Sequence, residues 1–375
     1  MGRLARAGRW IAAAVGLGAG TVAGYTAWTL NAPRRPWPPY TFTPFEVGVP
    51  AKEVSFSTSD GVSLAGWWLD NPGSRSVVIC CHGHRSNKAD MLGIGPGLWR
   101  AGHNVLLFDF RGNGDSGDGR QSLAHYEQAD LTAALDWAAR SHPGARIAVM
   151  AFSMGASTAI LTAAQDPRIE ALVLDSPFAT MSGVIAANYR RYRLPEGLLL
   201  PVADLVNRVF CGYSFEQVRP VDAMSSLPPR PVLLLHGTKD RLIPYEHAQQ
   251  LAEAAGPGEV ELVAFEGADH CGGYFVDRPG YTGSWKQFRD RGRRLSRPDR
   301  SRGEGSGRAW SAGGRLPRSR GHRFRRGKGC SWALSRHFPS RGDNGEHVHS
   351  VQSATEEASC EQPSCGHRAT WSSPR

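Results

Sequence analysis

Continuous apolar runs recur along residues 51–290, and polar or glycine-rich residues follow each of them. Runs of this length without a polar face are typical of strands buried on both sides of a sheet. Helix-like stretches, such as 124–140 and 154–165, separate the runs. The alternation predicts an α/β domain whose mostly parallel sheet is flanked by helices. The runs are SVVICC (76–81), VLLFDF (105–110), IAVMAF (147–152), ALVLDS (171–176), PVLLLHG (231–237) and VELVAF (260–265).

Two earlier segments have a different pattern. KEVSFST (52–58) and VSLAGWWL (62–69) alternate between polar and apolar residues, and Asp60-Gly61 lies between them. Alternation around an Asp-Gly pair predicts an antiparallel β-hairpin.

The residues that follow the strands carry the chemistry, because ligands and catalytic groups of open parallel sheets gather at the carboxyl ends of the strands. Ser153 follows the run IAVMAF, Asp240 follows PVLLLHG and His270 follows VELVAF. One serine, one aspartate and one histidine therefore lie at three strand ends, in that chain order.

This arrangement resembles the serine α/β-hydrolase superfamily, in particular its membrane-anchored esterase- and lipase-like members, over roughly residues 52–275. AFSMG (151–155) is similar to the nucleophile elbow G-x-S-x-G, with Ala151 in place of the first glycine. His82-Gly83 and the D-x-R-G-x-G-x-S run from Asp109 to Ser116 are also similar to this superfamily. The resemblance implies an α/β-hydrolase fold and cleavage of an ester or related acyl bond of a small or lipid-like substrate. It implies neither a metal nor an organic cofactor.

The chemistry of acyl transfer suggests a role for each residue. Ser153 would be the nucleophile, His270 the general base and acid, and Asp240 the carboxylate that fixes the imidazole tautomer. Two backbone N–H groups, those of Met154 and His84, are the expected donors to the tetrahedral oxyanion.

Other interpretations of these residues remain open at this stage. Ser153 and Asp240 could each merely cap a helix, and Asp175 is the substitute for the acid. His82 is expected to support the oxyanion loop, and Asp269 to be a turn residue. A peptidase or a thioesterase would use the same three side chains, and a catalytically idle scaffold would keep the fold alone.

The strand pattern stops between Ser176 and Leu227, and the resemblance implies that this segment, at about residues 177–227, forms a small cap over the active site. The segment indicates short helices broken at Pro195 and Pro201. Its Tyr189-to-Arg193 stretch predicts a solvated basic face, with binding of acidic substrates or lipid head groups as the alternative.

The N-terminal segment, residues 1–31, predicts a membrane helix. Three arginines within residues 1–9 precede 21 uncharged residues, 10–30, and Arg34 and Arg35 follow. A helix of this length rises about 30 Å, the thickness of a bilayer's hydrocarbon core. The charge balance predicts a signal anchor with the N-terminus inside and the catalytic domain on the outer face. A cleaved signal peptide with secretion, or a buried soluble helix, is the alternative.

Two segments are predicted to lack a core of their own. Residues 32–50 are proline-rich and indicate a stiff extended linker. Residues 291–375 contain 18 Lys and Arg, 7 Asp and Glu and only seven Leu, Ile, Val or Phe, a composition typical of disorder. This tail accounts for the net charge of +10, so the charge does not indicate a nucleic-acid-binding protein, and salt-dependent binding by the tail is a minor alternative.

The residues after His270 depart from the superfamily pattern. Asp277-Arg278-Pro279 resembles the start of the amphipathic helix that normally closes the fold, but the following residues show no apolar stripe. Our hypothesis from the sequence is that a reading-frame shift near residue 280 replaced that helix and created the tail.

Overall fold

The computed structural model describes residues 2–33, 39–40, 42–255 and 260–285, without the side chains of residues 2–5 and 11. All of these residues belong to the unit Met1–Glu304; the remainder, Gly305–Arg375, forms a second unit outside the described residues. The predicted tail at 291–375 therefore lies outside the described residues as well.

Eight strands form one sheet in the order β1-β2-β4-β3-β5-β6-β7-β8. The first two form the predicted hairpin, β2 also pairs antiparallel with β4, and all other pairs are parallel. The predicted fold class is confirmed. The strands are β1 (Lys52–Ser57), β2 (Ser63–Leu69), β3 (Ser76–Cys81), β4 (Asn104–Phe108), β5 (Arg146–Phe152), β6 (Ile169–Asp175), β7 (Val232–Gly237) and β8 (Val260–Phe265).

Helices cover both faces of the sheet. They are α1 (Gly2–Asn31), α2 (Gly95–Arg100), α3 (Glu127–Ser141), α4 (Met154–Ala163), α5 (Met181–Arg191), α6 (Glu196–Cys211), α7 (Pro220–Ser225), α8 (Glu246–Ala254) and α9 (Gly273–Val276). Residues 278–285 are also helical. Because side chains alternate along a strand, Val77 and Ile79 of β3 belong to the core under α3 and α4, whereas Val78 and Cys80 belong to the core under α2.

The N-terminal helix α1 packs against the cap helix α6. Ala19, Ala23 and Ala27, which are spaced four residues apart, are buried. The glycines of the same helix at positions 16, 20 and 24 have no atoms near the space of a side chain. Residues Arg6–Asn31 are long and apolar enough to span a membrane, although 18% of the most apolar stretch is buried within the protein.

The cap is helical, but its second predicted break is wrong. Pro201 lies inside α6, which runs without interruption to Cys211. Pro201 is the sixth residue of α6, and its missing N–H removes one hydrogen bond of the helix without ending it.

The described part of the predicted linker is not extended throughout. Residues 44–48 form a turn in which the Val49 N–H donates a hydrogen bond of 3.0 Å to the Pro44 carbonyl. Val49 is buried, and the Tyr40 hydroxyl donates a hydrogen bond of 2.7 Å to Asp109. Tyr40 and Val49 thus attach this segment to the sheet domain, one through a hydrogen bond and the other through burial.

Candidate active site

Ser153 occupies a sharp turn between β5 and α4. Its φ of +51° and ψ of −121° are unusual for a residue other than glycine. Its N–H donates a hydrogen bond of 2.8 Å to the Asp175 carbonyl of β6, which helps to hold the turn. A Cβ at Gly155 would lie 2.5 Å from the His82 carbonyl, so this position requires glycine. Ala151 is fully buried in the sheet, and its methyl group is accommodated there.

Three of the predicted residues form a hydrogen-bonded chain. The Ser153 hydroxyl lies 2.9 Å from His270 Nε2, and His270 Nδ1 lies 2.7 Å from Asp240 Oδ2. The Asp240 carboxylate is buried, whereas the His270 ring is 21% exposed. The turns after β5, β7 and β8 therefore bring together three residues, of which Ser153 and His270 are 117 positions apart in the chain.

The Asp240 carboxylate has further partners. Its Oδ1 accepts hydrogen bonds of 2.9 and 2.8 Å from the N–H groups of Leu242 and Ile243, so it also caps the following turn. His236 Nε2 lies 3.3 Å from Oδ2. Burial by itself raises the pKa of Asp240, but the hydrogen bonds from His236, His270 and Ile243 outweigh burial and hold the pKa below its usual range.

Asp175, the substitute for the acid, has different partners. Its carboxylate accepts hydrogen bonds from the hydroxyls of Tyr281 and Ser176, both at 2.9 Å. In the described part of the chain, no hydrogen bond joins Asp175 to His270. The geometry therefore favours Asp240 as the partner of the imidazole.

Both expected oxyanion donors lie next to Ser153. Met154 is the first residue of α4, and Gly83 packs so closely that a Cβ on it would lie 3.3 Å from the Ser153 Cβ. Among the described residues, neither the N–H of Met154 nor that of His84 donates a hydrogen bond to another protein group. Neither of these two N–H groups is therefore occupied by another group of the described residues.

The rings of His82 and His84 hold the loop that carries the second expected donor. His82 Nδ1 donates a hydrogen bond of 2.7 Å to the Gly83 carbonyl, and its Nε2 accepts one of 3.0 Å from Phe110. The ring of His84 donates from Nε2 to the Leu30 carbonyl at the end of α1, at 3.1 Å. Burial lowers the pKa of His84 to about 4, so its ring is neutral near pH 7. The expected supporting position of His82 agrees with these contacts.

A cavity of about 370 Å³ opens onto Ser153 and His84. This volume lies within the usual range of small-molecule sites. Most of the lining side chains are apolar. They come from α1 (Val22, Tyr25, Thr26, Thr29 and Leu30), from α5 and the loop after it (Val184, Ile185, Asn188, Tyr189, Tyr192 and Leu194) and from other loops (Arg85, Leu123, Phe178, Leu242 and Ile243).

A larger cavity of about 680 Å³ lies at the opposite, amino-terminal ends of the strands. Its lining includes Ser76, Arg146 and Ile169, the first residues of β3, β5 and β6. None of the predicted site residues reaches it. The smaller cavity is therefore the one associated with Ser153.

Two contributions to the site were not predicted from the sequence. Tyr189 does not belong to a solvated basic face; it is buried, and its hydroxyl lies 2.7 Å from that of Thr26. The sequence also did not predict that residues of α1 line the cavity beside Ser153. The N-terminal sequence indicated an apolar helix, but no sequence pattern indicated which surface of the protein that helix contacts.

Comparisons with known proteins agree with this architecture. Residues 72–230 match the family model of the S33 serine aminopeptidases. The esterase Pf2001 of Pyrococcus furiosus is 30% identical and superposes with a TM-score of 0.58 over 70% of this chain and 98% of its own.

Two bacterial proteins are also similar to this chain in sequence. The uncharacterized protein YqkD of Bacillus subtilis is 30% identical over 235 residues, which are 61% of this chain and 76% of YqkD. The monoacylglycerol lipase of Mycolicibacterium smegmatis is 27% identical over 252 residues, which are 58% of this chain and 89% of the lipase.

The fold and the strand-end serine define an α/β-hydrolase. The chain belongs to the serine α/β-hydrolase superfamily, among its esterase- and lipase-like members.

Proposed function

We propose that this protein hydrolyses carboxylic esters through Ser153, His270 and Asp240. The observation that carries the proposal is the hydrogen-bonded chain of these side chains, whose serine lines a mostly apolar cavity. His270 takes the Ser153 proton as the hydroxyl oxygen attacks the acyl carbonyl. The alcohol then leaves with that proton, and an acyl-enzyme forms. Water, deprotonated by His270, attacks the acyl-enzyme and regenerates Ser153.

The other named residues stabilise charge in this reaction. The N–H groups of Met154 and His84 donate to the tetrahedral oxyanion, and each such donor contributes about 3 kcal/mol to the barrier reduction. Asp240 keeps Nδ1 protonated, so that Nε2 faces the serine, and it stabilises the imidazolium. The depressed pKa of Asp240 keeps this carboxylate ionised at every pH at which the imidazole works.

The compared proteins support ester chemistry over peptide chemistry. The solved structure that is 30% identical is called an esterase, and one bacterial relative is called a monoacylglycerol lipase. The matching family model, in contrast, is described by its serine aminopeptidases. Peptidase activity is therefore the second candidate, and thioester hydrolysis by the same residues is a third.

Labelling with a fluorophosphonate probe tests the proposal. The full chain should be labelled, Ser153→Ala should not, and Ser182→Ala should behave as the parent because Ser182 lies on α5 outside the hydrogen-bonded chain. An ester, a thioester and an aminoacyl amide with matched acyl groups should then be compared. Absence of labelling in folded protein would support the idle scaffold instead, and faster cleavage of the amide would support a peptidase.

We also propose that α1 anchors the protein, with the N-terminus inside and the catalytic domain on the outer face of the membrane. The three arginines before the apolar segment and the length of Arg6–Asn31 support this orientation. Protease added to intact spheroplasts should digest the catalytic domain. Protection of the domain from protease would indicate the opposite orientation. A mature protein whose mass shows that residues 1–23 have been removed would indicate cleavage and secretion.

The proposed domain organisation follows from the same features. It comprises the anchor at 1–31, a linker at 32–50, the hydrolase domain at 51–290 with its cap at about 177–227, and the tail at 291–375. Limited proteolysis should cut first at the boundary between the hydrolase domain and the tail.

A further inference from the structure

The helix proposed as the membrane anchor also lies against the serine cavity. Val22, Thr26 and Leu30 of α1 line the cavity that opens onto Ser153. Their spacing of four residues places them on one face of the helix. The neighbouring face, with Ala23 and Ala27, is buried in the protein core. The same turns of α1 are therefore both packed against the domain and exposed to the cavity.

Hydrogen bonds hold α1 in this position at three points. Thr26 bonds the Tyr189 hydroxyl of α5 at 2.7 Å, and the Leu30 carbonyl accepts from the His84 ring at 3.1 Å. The Asn31 amide donates to Asn207 of α6 at 2.8 Å. Two of these contacts join α1 to the cap, and the third joins it to the loop that carries the second oxyanion donor. The wall is thus fixed relative to the serine.

The rim of the cavity is apolar and exposed. Tyr25 of α1 is 65% exposed, Tyr192 at the end of α5 is 68% exposed and Leu242 is 41% exposed. Beside α1, the cap helix α6 exposes Leu205, Val209 and Phe210. Exposed apolar side chains on two packed helices, one of them long enough to span a bilayer, are typical of a surface in contact with lipid.

From this placement we propose that residues 22–30 of α1 form one wall of the acyl-binding pocket, which takes the long acyl chain of a membrane lipid ester. The inference rests on the proposed ester hydrolysis and specifies its substrate class. An acyl chain that enters at Tyr25 passes between α1 and α5 and brings its carbonyl to Ser153. The bilayer and the pocket then share one helix, so the lipid reaches the serine without crossing water.

The first test narrows the pocket with a larger side chain on α1. Val22→Trp fills the cavity from α1, and Val15→Trp places the same side chain on the same helix at an exposed position outside the cavity. The full-length proteins are assayed in mixed micelles with p-nitrophenyl dodecanoate and p-nitrophenyl acetate. Each methylene that loses its apolar contact costs about fourfold in binding. Val22→Trp should therefore lower the dodecanoate-to-acetate ratio of kcat/KM by at least about tenfold.

The control and the unmodified protein separate the outcomes. Val15→Trp should keep the ratio of the parent. An unchanged ratio in Val22→Trp, with activity abolished by Ser153→Ala, overturns the wall and leaves the ester hydrolase standing. Activity that survives Ser153→Ala, or no ester hydrolysis at all, overturns the proposed function and the inference with it.

A second test needs no cavity-filling variant. A dodecyl fluorophosphonate with a terminal diazirine is attached to Ser153 of the parent protein, irradiated and digested. Cross-links to residues 22–30 support the wall. Cross-links confined to α5 and to the loops after β6 and β7 overturn it.

Discussion

The phenol of Tyr281 donates a hydrogen bond of 2.9 Å to the buried carboxylate of Asp175. The Ser176 hydroxyl donates to the other oxygen of Asp175 and accepts from the N–H of Cys271 at 3.1 Å. Cys271 directly follows His270, and both Ser176 and Cys271 have positive φ angles, 53° and 51°. A continuous set of hydrogen bonds therefore joins the helical segment 278–285 to the loop that carries the imidazole.

This relationship predicts that Tyr281 positions His270. Tyr281→Phe should lower kcat about tenfold, since misplacement of a reacting group slows the chemical step, and should leave KM unchanged. Losing a buried hydrogen bond to a carboxylate should also cost about 1–3 kcal/mol of unfolding free energy. Steady-state kinetics and urea denaturation provide the two readouts.

Tyr274→Phe is the matched control. The Tyr274 ring lies 5.6 Å from that of Tyr281, but within the described residues its hydroxyl makes no hydrogen bond. Its kcat should equal that of the parent. A Tyr281→Phe protein that loses stability but keeps full kcat would assign Tyr281 a purely structural role.

The two candidate acids are distinguished by amide substitutions. Asp240→Asn removes the acceptor for His270 Nδ1–H and should lower kcat by about 10⁴-fold at pH 7, because the imidazole then adopts the wrong tautomer. Asp175→Asn should lower kcat by no more than about tenfold, since it acts only through the position of the loop. Ester hydrolysis by both purified variants measures the difference. The reverse order of effects would make Asp175 the acid.

Sequence was a good guide to the sheet and to the arrangement of residues around Ser153. Strand patterns placed all eight strands within about two residues of their positions. Because the carboxyl ends of parallel strands meet at one edge of a sheet, the positions of Ser153, His270 and Asp240 after three strands predicted that these side chains lie together, as they do. Local pattern and sheet topology were sufficient for this part.

Helix docking could not be predicted in the same way. The buried apolar residues described in α1 are Ala19, Ala23 and Ala27, which are no more apolar than their neighbours. Tyr189 and Tyr281 can be buried because each hydroxyl has a hydrogen-bond partner far away in the sequence. The partner of Tyr189 is the Thr26 hydroxyl, and the partner of Tyr281 is the Asp175 carboxylate. The segment after residue 277 showed no apolar stripe, yet Tyr281 is buried in the core on one side of the sheet and Trp285 packs against the same core. Such contacts depend on tertiary packing, which the local sequence does not encode.

The buried ion cluster around Lys88 should be important for stability. Lys88 Nζ lies 2.6 Å from each of Asp109, Asp115 and the Tyr40 hydroxyl, and it faces the rings of Tyr40 and Trp67. Lys88→Met would leave the Asp109 carboxylate buried without its cation. We expect a loss of about 3–5 kcal/mol of unfolding free energy.

Lys52→Met removes an ion pair of a different kind. Lys52 is 72% exposed and lies 3.3 Å from Asp70. An exposed pair contributes at most about 1 kcal/mol. Urea denaturation should therefore show a much larger loss of unfolding free energy for Lys88→Met than for Lys52→Met. Equal losses would show that solvent or structural relaxation stabilises the Asp109 carboxylate once Lys88 is removed.

Glu127 should make stability depend on pH. Burial raises the pKa of this carboxyl from an ordinary 4.5 to about 7, a rise that nearby Asp130 reinforces and the hydrogen bonds from Ser122 only partly offset. Between these pH values the native state holds a proton that the unfolded state has released. Stability is therefore fully present below about pH 4.5 and falls as pH rises through about 7, at roughly 1.4 kcal/mol per pH unit for one group.

Glu127→Gln stays neutral at every pH and should flatten that part of the profile. The stability of the parent relative to Glu127→Gln should decline by roughly 3 kcal/mol between pH 4.5 and pH 8. The Asp130 carboxyl, whose pKa burial raises to about 6, titrates in both proteins, so to a first approximation its contribution cancels in the difference. Urea denaturation across this pH range gives the profile, and Glu53→Gln on the exposed side of β1 should reproduce that of the parent. Parallel profiles for the parent and Glu127→Gln would mean that Glu127 ionises in the native state as freely as in the unfolded chain, and that water reaches the carboxyl despite its burial.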